Sequence, residues 1–340
     1  MGGPSAEHEV SLNSGLEVLR YIDREAYTVR AVVISRQKQF FYCDTDPQQL
    51  PSLEDLRAPD TSPLMRGPVA MADAAPVWEG CDAAFLAMHG SFGEDGVFQG
   101  YLESIGMPYT GSDVYASAVA MNKITCKTLF TCHGLATPPY SIFGPLHPEI
   151  TVESIIATHG LPCFIKCPQS GSSKLLGRAG TADELSAMLG DFSRYSDDIL
   201  IESMIEGPEF TCGVLDDATG IPFALPPIEI RPKASFFDYT AKYTTGGSEE
   251  LVPAPRPAEL LEQIQKIAVA AHRIVGCKGI SRTDFLLQNE TLYVLEVNTL
   301  PGLTANSLIP KSFQATGGTF SGLIDLLIRQ ALARKEPVLP

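Results

Sequence analysis

The 340-residue chain is short of positive charge: 25 lysines and arginines face 40 acidic residues, giving a net charge of −15 and a pI near 4.8. A deficit of that size argues against nucleic acid or an anionic membrane as the main partner, since both are bound by cationic surface. A bound nucleotide must therefore be met by lysines placed locally. The sequence has no apolar run long enough to span a bilayer and no basic-then-apolar start, so no membrane role is expected and the cytoplasm is the expected compartment. Its eight cysteines, Cys43, Cys81, Cys126, Cys132, Cys163, Cys167, Cys212 and Cys277, never fall as CxxC. Reduced thiols are expected, not zinc or a disulfide framework. Internal repeats and low-complexity segments are absent too.

What is present is a globular composition, 44% apolar and 19% charged, in a chain long enough for two or three domains. The stretch that organises the rest is Tyr293-Val294-Leu295-Glu296-Val297-Asn298-Thr299-Leu300-Pro301-Gly302. Its first half reads as a buried strand, yet Glu296 and Asn298 lie two residues apart and leave that strand on one face. A carboxylate and an amide oxygen side by side make a hard-oxygen pocket suited to Mg²⁺, which Asp284 would complete from the strand Ser281 to Leu287. The polar link Gln288-Asn289-Glu290 pairs the two as a hairpin. With Arg282 adjacent, the set is what phosphoryl chemistry on ATP requires. The same residues would also suit an ordinary hairpin whose acids face water.

Upstream, Gly2-Gly3-Pro4-Ser5 is a glycine turn with Ser5 placed to cap a helix, and Glu7 falls in that helix's first turn, where a carboxylate suits the dipole. Tyr27 to Ile34 and Ala83 to Met88 read as strands. The second ends in His89-Gly90, a loop where open α/β sheets place ligands. Val114 to His133 reads as one long helix carrying Lys123 and Lys127. Pro162 to Lys166 is a strand delivering a lysine, followed by the Gly/Ser loop Gln169 to Lys174, whose N–H groups could close over phosphates although it is no Walker motif. Ile199 to Glu202 is a further strand. Arg231 to Pro257, aromatic and bounded by prolines, reads as a lid, and Pro257 to Val275 as an amphipathic helix.

Taken together, Ser5-Ala6-Glu7-His8-Glu9-Val10-Ser11, His89-Gly90, Gly93-Glu94-Asp95-Gly96, Gly171-Ser172-Ser173, Gly207-Pro208-Glu209-Phe210-Thr211, Lys242-Tyr243, Arg282-Thr283-Asp284 and Glu296-Val297-Asn298 resemble the D-alanine:D-alanine ligases of the ATP-grasp superfamily. The resemblance covers nearly the whole chain. It implies an α/β fold: an N-terminal doubly wound parallel-sheet domain (1–111) that binds substrate, then two α+β domains of an ATP-grasp module (112–203 and 204–335, the latter with a lid at about 232–252).

By that resemblance Asp284, Glu296 and Asn298 hold two Mg²⁺ ions, for which Mn²⁺ could substitute. Lys123, Lys166, Ser173 and Lys242 bind ATP phosphates, Glu202 borders the adenine and Glu209 takes the ribose. Glu7, linked to Ser172 and Tyr243, meets the ammonium of the first D-alanine beside His89. Arg282 and the Gly302 N–H face the oxyanion, and Ser307 and Leu308 hold the second carboxylate. The implied reaction passes through an acyl phosphate, in a homodimer. Ligases for D-lactate or D-serine, or a silent nucleotide-binding protein, are the alternatives; Tyr243, neither cationic nor imidazole, favours a dipeptide product over a depsipeptide. Two departures stand out. The glycine loop runs Ser173-Lys174-Leu175-Leu176 where the family usually has Ser-Ser-x-Gly. The chain also starts at the first glycine turn, so the central first strand of the parallel sheet is expected to be missing, lying upstream of Met1.

Overall fold

A computed structural model describes residues 1–169, 175–232 and 248–334, a mixed α/β fold with three sheets whose ladders are all antiparallel. The first sheet pairs β1 (Arg30–Ile34), β2 (Phe40–Asp44) and β3 (Arg66–Val69) in that order. In the second, β4 (Tyr140–Phe143), β5 (Cys163–Lys166), β6 (Leu176–Ala179) and β7 (Ile199–Ser203) lie in the order β4-β7-β5-β6. The third contains β8 (Glu209–Asp216), β9 (Pro222–Ala224), β10 (Ile228–Pro232), β11 (Ser248–Leu251), β12 (Ile280–Gln288) and β13 (Thr291–Asn298), ordered β11-β10-β8-β12-β13, with β9 on β8.

The expected doubly wound parallel sheet is reduced, in the described N-terminal region, to isolated parallel bridges: Gly2 to Ile34, Gly2 to Met88, and Ala84 to Tyr109. The stretch read as a strand from Ala83 to Met88 keeps backbone pairing at Ala84, whose N–H reaches Pro108 O at 2.8 Å and whose O accepts from Thr110 N at 3.0 Å, but side chains take later donors. Leu86 N–H goes to Thr110 Oγ1 at 3.0 Å, and His89 N–H to Ser11 Oγ at 2.9 Å. The place between Ile34 and Met88, where a missing first strand would leave unpaired groups, is taken by Met1 to Gly3. Ile34 N–H reaches Met1 O at 2.9 Å and Gly3 N–H reaches Ile34 O at 2.7 Å.

The helix expected from 114 to 133 is two, Val114–Met121 and Lys123–Cys132, because Asn122 caps the second: its Oδ1 accepts from Ile124 N and Thr125 N, both at 3.1 Å. Ser5 is not the cap of the first helix, which runs His8–Tyr21 from Glu7. Its Oγ instead donates to His89 O at 2.6 Å and accepts from Glu7 N at 3.1 Å.

Alternation along β8 separates the two faces of the third sheet. Phe210, Cys212 and Val214 pack with Phe285, Val294 and Val297 under the Ala258–Val275 helix, through its Ile264, Ala268, Ala271 and Val275. Leu215, with Leu225, Ile280 and Ile309, is covered instead by the Phe320–Ala333 helix. Burial of these side chains contributes about 1.5–3 kcal/mol each for the larger ones. All eight cysteines are free and six are buried. Among the described residues no helix is long and apolar enough to cross a membrane.

Candidate active site

The β12/β13 hairpin turns at Asn289 and Glu290, both with positive φ (48° and 65°), the backbone of a two-residue hairpin turn. Farther along, Arg282 pairs with Asn298 and Asp284 with Glu296, but Phe285 pairs with Val294. Leu295 is therefore an extra residue, a β-bulge. Were Leu295 paired in register, Glu296 and Asn298 would continue the inward face of Leu292 and Val294. With the bulge, Val297 turns into the core and the two polar residues turn out, opposite Asp284 and Arg282. Thr211 of β8 lies on the next strand of that polar rung, directly opposite Asp284.

Arg282 grips Asp284 with two parallel bonds, Nε to Oδ1 and Nη2 to Oδ2, each 2.9 Å, and Thr211 Oγ1 donates to Asp284 Oδ1 at 2.6 Å. Lys123 Nζ lies 3.5 Å from Glu296 Oε2. Asn298 Oδ1 accepts from Leu300 N at 3.1 Å, tying the strand end to the Pro301-Gly302 turn. Among the described residues no three His, Cys, Asp or Glu side chains cluster as a metal site. The donor set is instead two carboxylates and an amide oxygen on adjacent rungs, hard oxygens of the kind divalent cations take, and a cationic side chain already lies against each carboxylate. The residues fit Mg²⁺.

A second group lies on β5, β7 and the Lys123–Cys132 helix. Glu202, almost wholly buried, is ion-paired by both Lys166 and Lys127. Burial alone would raise its carboxyl, but the two lysines outweigh that and hold it at about 2. Burial lowers the Lys127 ammonium despite Glu202, whereas for Lys166 the pull of Glu202 and then Glu296 exceeds the burial penalty and raises it. Helix and strand are joined where Lys123 N–H reaches Pro168 O at 3.1 Å.

The third group is N-terminal. Glu7 is buried beside Gly90, where φ is +75° and an added Cβ would come within 2.5 Å of Glu7 Oε2. His89 is fixed by Ser14 Oγ at 2.9 Å from its Nε2 and by Glu94, whose Oε1 is 3.6 Å from Nδ1 and whose Oε2 accepts from Gly90 N at 2.9 Å. Burial pushes the Glu94 carboxyl up, and the His89 contact offsets this only in part. Leu300 packs in the same core as Met88, Phe92 and Tyr109, which brings the 298–302 turn to this loop. On the far side of that turn, a Cβ at Gly302 would lie 3.1 Å from Ser307 Oγ, and Ser307 starts the Leu308–Gln314 helix with its Oγ against Thr304 N (3.1 Å) and Thr304 Oγ1 (2.8 Å).

The sequence-predicted residues thus fall into three sets: Arg282, Asp284, Glu296 and Asn298 with Lys123; Lys166 with Glu202; and Glu7 with His89. Gly302, Ser307 and Leu308 lie on the turn beyond. Glu209 is on β8, across from Leu286 and Ile230. Ser172, Ser173, Lys242 and Tyr243, with the Gly/Ser loop and most of the lid, lie outside the described residues. Sequence reasoning missed Lys127 and Thr211. Lys127 stands one helical turn after Lys123 and Thr211 two strand positions after Glu209, so each shares a face with a predicted residue, and that spacing was the available signal.

Hard oxygens on β12 and β13 with Lys123 beside them, and Lys166 at the end of β5, form a donor set suited to a metal-assisted reaction of a phosphorylated substrate. Residues 1–112 match the family model for the D-ala D-ala ligase N-terminus, and residues 129–329 that for its C-terminus. The chain belongs to the D-alanine–D-alanine ligase family, of the ATP-grasp group. It is 37% identical over 343 residues to the D-alanine–D-alanine ligase of Leptospira biflexa, covering 98% of this chain and 97% of that one. With the D-alanine–D-alanine ligase of Oleidesulfovibrio alaskensis it shares 46% over 254 residues, 74% of this chain and 80% of that one. Among solved structures, the D-Ala:D-Ser ligase VanG of Enterococcus faecalis superposes with a TM-score of 0.85 at 30% identity, covering 97% of each chain. The ATP complex of the Bacillus anthracis D-alanine–D-alanine ligase gives 0.74 at 30%, over 98% of this chain and 95% of that one.

Proposed function

We propose that the protein joins two D-alanine molecules to D-alanyl-D-alanine at the expense of ATP, for peptidoglycan precursor synthesis in the cytoplasm. The observation that carries this reading is the juxtaposition of Arg282/Asn298 and Asp284/Glu296 on neighbouring rungs with Lys123 beside them, in a chain similar end to end to ligases of that name. Three units would share the work: residues 1–111 for the first substrate, and 112–203 and 204–335 for the nucleotide, with a lid at about 232–252.

In this reading Lys123 and Lys166 meet ATP phosphates, aided by Ser173 and Lys242, while Glu202 borders the adenine and Glu209 the ribose. Asp284, Glu296 and Asn298 would hold Mg²⁺, or Mn²⁺ in its place; when bound, the metal supplies charge neutralisation to the triphosphate. Glu7, enclosed beside Gly90, accepts the ammonium of the first D-alanine, with His89 at its side. That orients its carboxylate for attack on the γ-phosphorus, forming an acyl phosphate and releasing ADP. The amine of the second D-alanine, its carboxylate held at Ser307 and Leu308, then adds to the acyl carbon. The Arg282 fork, fixed in plane by Asp284, and the Gly302 N–H stabilise the oxyanion before phosphate leaves. Ser172 and Tyr243 would close the site around Glu7 and exclude water, which would otherwise hydrolyse the acyl phosphate. A homodimer is the assembly in keeping with the family likeness.

The likeness to VanG supports one second reading, D-serine as acceptor. ATP-dependent phosphate release, with mass spectrometry of products from equimolar D-alanine, D-serine and D-lactate, tests both. D-alanyl-D-alanine is the expected main product near neutral pH. A predominance of D-alanyl-D-serine selects the second reading, and a predominance of D-alanyl-D-lactate, or no turnover, refutes both.

A further inference from the structure

Glu202, 2% exposed, is held by two lysines that differ in every other respect. Lys127 is 1% exposed and sits in the middle of a helix packed through Cys126 and Phe130. Its ammonium also donates to Thr137 Oγ1 at 2.5 Å and lies 5.6 Å over the Tyr140 ring. Lys166 ends β5, keeps 18% of its side chain exposed and also feels the charge of Glu296. The cluster therefore holds two cations for one carboxylate, one cation enclosed and the other partly exposed on the side of Glu296.

A buried carboxylate without a partner is strongly disfavoured. If Lys166 were the sole counter-ion of Glu202, moving it to a phosphate would strand that charge. We propose that Lys127 is a positioning residue for the nucleotide: as the fixed counter-cation of Glu202, it releases Lys166 to pair with a nucleotide phosphate. The inference rests on the assignment of Lys166 to phosphate given above. Lys127 itself touches no ligand. It keeps Glu202 in place while Lys166 exchanges one anion for another.

The test is ADP binding, in the presence of Mg²⁺, measured by calorimetry on the full chain. Lys127→Met retains most of the side-chain volume and removes the charge; ADP affinity is expected to fall by about tenfold or more while the KM for D-alanine is unchanged. In a Glu202→Gln background there is no carboxylate to strand, so adding Lys127→Met is expected to change ADP affinity by less than about threefold. An equal loss in both backgrounds would mean lost packing, not lost charge, and overturns the proposal, as does wild-type affinity in Lys127→Met alone. Lys166→Met separates this inference from its premise. Undiminished ADP affinity there overturns the phosphate assignment and the inference with it, whereas a loss there beside an unaffected Lys127→Met overturns the inference alone. Should Lys127→Met fail to melt cooperatively, Lys127→Arg keeps the charge: affinity within about threefold of wild type is expected, and a tenfold loss refutes the idea.

Discussion

Asp284 and Glu296 are carried by strands laddered on β8 and on each other, whereas Glu7 and His89 sit on segments joined by isolated bridges and by the hydroxyls of Ser5, Ser11 and Ser14. In the first region the frame is backbone, and the polar side chains are added to it. In the second the frame is itself made of side chains. A substitution in the hairpin should therefore remove chemistry and leave structure, while one near His89 should move both.

The largest expected effect is that of Glu296→Ala. It is expected to lower kcat at least about a hundredfold, since one of three oxygen donors is lost. Glu296 is partly exposed on a frame that does not need it, so stability should change by about 0.5 kcal/mol or less. Activity within about threefold of wild type would remove Glu296 from the site.

The N-terminal counterpart is Gly90→Ala. With φ at +75° and Glu7 Oε2 in the way of the new Cβ, it should cost about 1–3 kcal/mol of stability. It should also raise the KM for D-alanine about tenfold, leaving that for ATP within about twofold. An unchanged D-alanine KM would detach Glu7 from the substrate, and an unchanged melt would show the loop to be less constrained than its bonds imply.

The subtlest contrast is in pH dependence, where Glu202 and Glu94 have opposite signs. Glu202 is held at about 2, below its ordinary 4.5, so its contribution to stability is full above 4.5 and is lost as pH falls from there toward 2. Glu94 is raised above 4.5, so its contribution is full below that value and is lost as pH rises through its folded pKa. Denaturant melts of wild type, Glu202→Gln and Glu94→Gln across the acid range should show this. The advantage of wild type over Glu202→Gln should shrink on acidification, and its standing against Glu94→Gln should worsen on going from acid toward neutral. Slopes of the same sign would dissolve the contrast.

The same difference in construction explains what could be read from the sequence. The hairpin was legible because its signals are local: period-two apolar residues, a polar two-residue turn, and Glu296 and Asn298 two apart. The family likeness of the motifs was legible for the same reason. The parallel sheet was legible only in outline, because its segments meet in isolated parallel bridges and the N–H groups of Leu86 and His89 are taken by Thr110 and by Ser11, the latter 78 residues distant, which no pattern within a strand announces. The break at Asn122 was overlooked because its apolar flanks continue a helical period across a capping side chain. Lys127 was read only as a neighbour of Lys123 on one helix, and its burial depends on Glu202 and Thr137, which arrive from other elements.

Leu295 lets one strand show two facings. Strict alternation from Leu292 and Val294 would carry Glu296 and Asn298 toward the 258–275 helix; two residues set against one partner shift the phase, so that they face the Asp284 and Arg282 side instead. The information lies in the pairing, not in the identity of the residue or the length of the chain. Removing Leu295 would make Val294 and Glu296 neighbours and leave Glu296 opposite Asp284, whereas pairing Leu295 in register would carry the carboxylate and the amide into the apolar core and turn Val297 outward.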